Sequence, residues 1–178
     1  SNLVDFSAKG NFKIAEIGDV IAANISMIQN EISRKFNLDT LLPVKPVNIS
    51  RTGMDFTYEL KTKDPDAISK MFFLSDMYVD GGVNGYIRNS SDGFSGRSNV
   101  DLKNFTYKDT VLVLTNTRAE FVHANSYSGY KNAPNGDFSS FTSTIKLDID
   151  SLRSSNNVFD SISAKFELVG AKQSMFIH

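Results

Sequence analysis

The sequence predicts a mostly β domain of the α+β class: a curved antiparallel sheet, groove-like or open-barrel-like, with one long N-terminal amphipathic helix and one short helix. Three observations carry this expectation. From Met77 onward, apolar and polar residues alternate in segment after segment, the period-2 signature of half-buried strands. Polar, Gly-rich or Asn-rich breaks separate these segments without intervening helices, so sequence neighbours pair antiparallel, because parallel strands need long crossovers. One stretch near the N-terminus instead repeats its apolar residues at spacings of three and four.

In chain order, LVDFSAKGNFKI alternates at Val4, Phe6 and Ala8 and reads as a strand. In AEIGDVIAANISMIQNEISRKF, residues Ile17, Ile21, Ile25, Ile28, Ile32 and Phe36 form the stripe of an amphipathic helix, with Gln29, Glu31, Arg34 and Lys35 away from it. Pro43 and Pro46 stop any helix. MDFTYELK then sets Met54, Phe56, Tyr58 and Leu60 on one strand face. DPDAISKMFF reads as the short helix, with Asp64 as N-cap, Pro65 in the first helical position and Asp66 in the first turn. The remaining strands are VNGYI, NVDLKNFTY, TVLVLTNTRAEFV, FTSTIKLDI and SISAKFELV.

The window DGGVNGYIRNSSDGFSG holds five glycines, yet it matches neither GxxxxGK[ST] nor GxGxxG and leads into a strand rather than a helix. It therefore turns the chain and does not cradle phosphate: Asp92-Gly93 marks a hairpin with glycine at positive φ, and Gly81, Gly82 and Gly85 suit a bulge or bend. A second loop, NSYSGYKNAPNGDFSS (Asn125–Ser140), reads as a flexible rim whose Tyr127, Tyr130 and Phe138 can touch a partner.

Composition removes several function classes. A chain of 178 residues with net charge −1 and no Lys/Arg cluster gives no electrostatic footprint for nucleic acid. The absence of cysteine rules out disulfides, thiolate metal sites and thiol nucleophiles. No secretory or membrane-spanning run is visible, and Ser1-Asn2 reads as a tag remnant. His123 and His178 form no spaced metal motif, and GFSGR around Ser95 carries Arg97 where a nucleophile elbow needs glycine. Asp148 and Asp150 read as the wet face of an amphipathic strand. Sequons at Asn24, Asn48, Asn89 and Asn104 matter only in a eukaryotic secretory setting. No enzyme, cofactor or metal is expected.

The remaining signal is apolar alternation. Val111, Val113, Ala119 and Phe121 are expected to share one face, as are Ile145, Leu147 and Ile149, and again Ile162, Ala164, Phe166 and Leu168. Such rows form either the filled core of a β-sandwich or an open groove for lipid tails.

The phrases VDFSAKGNFKI, VNISRTGMDFTYELKTKDPDAIS and MYVDGGVNGYIRNSSDGFSGRSNVDLKNFTYKDTVLVLTNTRAEFV resemble segments of the AsmA/TamB-like proteins of the Gram-negative cell envelope. The likeness is one of style, amphipathic strands joined by polar turns, and covers Val4–Ile14 and most of Val47–Val169. It implies an antiparallel trough with an apolar concave face in the periplasm, acting in phospholipid transport between membranes or in outer-membrane assembly. This chain would be one domain, 1–178, cut from a longer protein whose missing parts contact the membrane. Its expected partners are phospholipid acyl chains and outer-membrane assembly proteins. The apolar face is expected to comprise Phe56, Tyr58, Val100, Leu102, Val111, Val113, Phe121, Ile145, Leu147, Ile149, Ile162, Phe166 and Leu168. The competing expectation is a β-sandwich interaction module of an envelope or phage structure, using its edges and the tyrosine-bearing loop.

Overall fold

The computed structural model of the protein describes residues 3–36, 52–66, 76–108, 111–127, 142–169 and 172–177. Eight strands form one sheet in strict sequence order: β1 (Val4–Asn11), β2 (Met54–Thr62), β3 (Met77–Asn89), β4 (Gly93–Tyr107), β5 (Leu112–Ser126), β6 (Thr142–Ser154), β7 (Asn157–Val169) and β8 (Lys172–Ile177). Every neighbouring pair is antiparallel. The first and last strands do not meet, so the sheet is open and not a barrel. The protein is thus mostly β with one helix among the described residues, α1 (Ile14–Phe36), inserted between β1 and β2.

Antiparallel register places side chains in rows across the sheet. One row runs Phe56–Ile87–Gly96–His123–Ser143–Leu168, and the next Ala8–Tyr58–Gly85–Ser98–Phe121–Ile145–Phe166. Two more on the same face run Phe6–Leu60–Val83–Val100–Ala119–Leu147–Ala164 and Gly81–Leu102–Thr117–Ile149–Ile162. The opposite face is charged and polar: Arg88 bonds Asp55 at 3.0 Å directly across β2 and β3, and Asn99 donates to Asn84 at 3.1 Å. Glu120 lies between Arg97 and Lys146, the latter at 2.8 Å; the Lys146 hydrogen bond, helped by Arg97, holds its carboxyl below the usual range.

The alternation breaks along one line. The β3–β4 register shifts between Asp80 and Gly81, and the pairing skips Lys103, Asn116, Asp150 and Ser161 in successive strands. Asn116 and Ser161 sit at φ of 45° and 57°. Each of these strands carries one extra residue there, as a β-bulge does, so the faces exchange beyond it. Chemistry agrees with the exchange: Val79–Phe105–Leu114–Leu152–Phe159 continues the apolar face, whereas Asp80–Asn104–Thr115–Ser151–Asp160 falls on the other.

This overturns the expectation that Val113 shares a face with Phe121. Val113 pairs with Thr106 and Arg153 on the polar side, because the bulge at Asn116 lies between it and Phe121. Val111 belongs to no row: it precedes β5 in a turn, its N–H donating to the Lys108 carbonyl at 3.1 Å, and is half exposed.

The helix also departs from expectation. The isoleucine spacing predicts a long helix with Ile17, Ile21, Ile25 and Ile28 inward. Instead Val20, Ala23, Asn24, Met27, Asn30 and Ser33 are buried, while Ile25 is 56% exposed and Ile21 37%. The packed face is rotated from the isoleucine stripe, and the helix residues in the apolar core are Ile17, Val20 and Met27, in the first four turns. The expectation of a long N-terminal amphipathic helix is thus not borne out: its contact with the core is confined to Ile17, Val20 and Met27. Of the expected short helix, only the start is described: Asp66 N–H donates to the Asp64 carboxylate at 3.0 Å, and residues 67–75 lie outside the described residues.

The core sits under α1 at one end of the apolar face. Val20, Met27, Met54, Phe56, Phe94 and Tyr127 form it, flanked by Ala8, Phe12, Ile17, Tyr58 and Ile87. Phe12 and Phe56 lie 4.8 Å apart between ring centroids, a favourable tilted pair.

Candidate functional site: an apolar groove between helix and sheet

Between α1 and the sheet runs an open groove of about 390 Å³, within the range of small-ligand sites. One wall is Ile17, Ile21, Ile25 and Ile28 of the helix, so beyond Ile17, which packs against the core, the isoleucine stripe becomes groove surface. Phe56, Tyr58, Val83, Ile87, Phe94 and Phe121 form the floor, with Phe6 of β1 at the side. Glycine shapes that floor. A Cβ at Gly85 would lie 2.8 Å from the Tyr58 hydroxyl and clash with the Arg97 carbonyl, so only glycine lets the tyrosine ring lie over β3. Gly93 acts differently from expectation: it has no positive φ, and the β3–β4 turn closes instead through Ser90 N–H to the Gly93 carbonyl at 3.0 Å and Asp92 N–H to Ser90 Oγ at 3.2 Å.

A polar network borders the groove through Asn24 and His123. Tyr127 Oη donates to Asn89 Oδ1 at 2.5 Å, and Asn24 Nδ2 reaches the Val20 carbonyl at 2.8 Å and Tyr127 Oη at 3.3 Å. Asn125 Nδ2 donates to Asn24 Oδ1 at 2.9 Å and approaches His123 Nε2 at 3.4 Å. An amide donor at Nε2 assigns the imidazole proton to Nδ1, which lies 2.7 Å from Ser143 Oγ. Burial drives the His123 pKa down to about 4, against a backbone hydrogen bond to Thr142 that acts the other way, so the ring is neutral near pH 7. Burial likewise pushes the Tyr127 phenol up, opposed by Asn24.

The structure brings eleven of the thirteen expected residues onto one face: Phe56, Tyr58, Val100, Leu102, Phe121, Ile145, Leu147, Ile149, Ile162, Phe166 and Leu168. Only Phe56, Tyr58 and Phe121 line the groove itself. Phe56, Ile149 and Leu168 are buried, whereas Ile145 is 43% exposed. The helical wall was missed, because apolar residues at helical spacing ordinarily signal the packed face. A signal was nonetheless present: Val20, Ala23, Met27 and Asn30 form a second stripe at the same spacing.

The rim expectation for Tyr127 is also corrected. Asn125 and Ser126 end β5, and Tyr127 is 2% exposed with its hydroxyl inside the network; residues 128–141, with Tyr130 and Phe138, lie outside the described residues. Asn24 and Asn89, two of the sequon asparagines, are buried by the same network. Asp148 faces the polar side, accepting from Ser163 Oγ at 2.6 Å. Among the described residues no cluster of metal-ligating side chains occurs, and no helix is long and apolar enough to cross a membrane.

Fold and groove together define an open antiparallel sheet with an apolar face partly covered, among the described residues, by one helix. A scan against protein-family models, a search of curated proteins and a search of solved structures found no match.

Proposed function

We propose that the groove is a non-catalytic binding site for lipid acyl chains. The observation that carries this reading is the wall of Ile21 and Ile25, apolar side chains turned from the sheet core toward an open groove floored by aromatic rings. A methylene leaving water for such a surface contributes roughly 0.8 kcal/mol, so a chain of ten carbons gains several kcal/mol without any charged anchor. Beyond the groove, the rows from Leu60 to Ala164 and from Val79 to Phe159 offer further apolar surface along which a chain can shift.

On this reading the chain is a curved, trough-like segment of an AsmA/TamB-like protein in the periplasm of a Gram-negative cell. It carries phospholipid between membranes, with outer-membrane assembly proteins as neighbours. Support comes from the strand phrases that resemble that family and from the one-sided apolar character of the sheet.

Native mass spectrometry after incubation with phosphatidylethanolamine–phosphatidylglycerol vesicles tests it. Wild type is expected to retain phospholipid at a defined stoichiometry, and Ile25→Asp, folded by circular dichroism because the position is exposed, to lose most of it. A lipid-free wild type, or an Ile25→Asp variant that retains lipid as wild type does, overturns the reading.

A further inference from the structure

Almost every polar atom at the groove is already committed. The Asn24 amide bonds Val20, Tyr127 and Asn125, and both His123 ring nitrogens face Ser143 and Asn125. Arg97, the one cation among the lining residues, pairs with Glu120 and donates Nε–H to Asn99 at 3.3 Å on the polar side. Tyr86, also in the lining, stands in the polar-face row with Thr57 and Arg97, and what remains on the floor is the Tyr58 hydroxyl against Ser98 Oγ, across Gly85 in the row that also holds Phe121.

Two hydroxyls bonded to each other place one proton between them and leave one proton and spare lone pairs. The remaining proton can donate to an acceptor in a ligand. No uncommitted cation faces the pair among the described lining residues, so nothing there compensates a buried carboxylate, and a charge in an apolar site costs far more than a neutral acceptor. We infer that Tyr58 and Ser98 form a polar subsite that selects an uncharged acceptor, such as an ester carbonyl, over an ionised carboxylate. The groove then takes esterified or otherwise neutral amphiphiles and rejects free fatty-acid anions. This rests on the acyl-chain reading above and adds the chemistry of the ligand's polar end.

Fluorescence titration at pH 8 with three probes separates the two ideas: an alkylpyrene, the corresponding pyrene fatty acid and its methyl ester, each kept below its aggregation threshold. The ester is expected to bind at least about tenfold more tightly than the ionised acid. In the Tyr58→Phe/Ser98→Ala variant, ester affinity falls roughly three- to tenfold, the range of one neutral hydrogen bond, and alkylpyrene binding stays as in wild type. Tyr58→Phe keeps the ring over Gly85, and circular dichroism reports the fold. If the alkylpyrene binds but the acid matches the ester, or the double variant leaves the ester unaffected, the subsite is overturned and the groove stands. If no probe binds, the groove reading falls, and the subsite with it.

Discussion

His123 shows how a single side chain acquires properties its sequence neighbours do not announce. It stands in an ordinary alternating strand, yet it is 1% exposed and hydrogen-bonded at both ring nitrogens. Its pKa of about 4 in the fold compares with 6.5 for an unperturbed imidazole. Between those values the unfolded chain binds the extra proton, so stability rises with pH through that window and is lost as pH falls through it. Urea unfolding at pH 4.5 and pH 7 should differ by on the order of 2 kcal/mol from this residue. His123→Gln, which stays neutral, should flatten that difference; an unchanged slope would show that other groups carry the acid sensitivity.

At the scale of the element, α1 is held by the face that looks weaker on paper. Met27 is fully buried against the sheet, while Ile25 projects outward. Met27→Ala is therefore expected to cost about 2–5 kcal/mol, as cavity-forming core truncations do. Ile25→Ala should stay within about 0.5 kcal/mol, as surface changes do. Chemical denaturation of the two variants decides between the faces: the reverse order would place the isoleucine stripe inside. The packed face accommodates Asn24 because its amide donates to the Val20 carbonyl within the helix and meets Asn125 and Tyr127 at the end of β5, whereas an unpartnered amide would oppose docking.

At the scale of the whole sheet, among the described residues one helix covers one end, and apolar side chains farther along are exposed. Phe159 continues the apolar face beyond the bulge line and is 51% exposed. Contiguous apolar surface of this kind binds hydrophobic dyes in the native state. The folded protein should enhance anilinonaphthalene sulfonate fluorescence, and Phe159→Lys should reduce that signal without lowering the melting temperature by more than a degree or two, roughly. A native protein that leaves the dye dark would mean the face is covered.

The sequence by itself determined seven of the eight strands, their antiparallel pairing and most of the apolar face, because a period of two is local and survives any arrangement of neighbours; β8 (Lys172–Ile177) was not expected. Ile145, Leu147 and Ile149, and Ile162, Phe166 and Leu168, could be placed together from spacing alone. Two matters were left to the tertiary structure. A bulge needs a partner strand to define it, so Val113 could not be assigned to the polar face without the register around Asn116. The helix offered two stripes of similar spacing, and the buried one is the one whose Asn24 meets partners on the sheet. Asn24 found hydrogen-bond partners some hundred residues away in sequence, at Asn125 and Tyr127, which left the isoleucines to line a groove. No local pattern encodes such a distant pairing, because its free energy exists only once the strand and the helix have met.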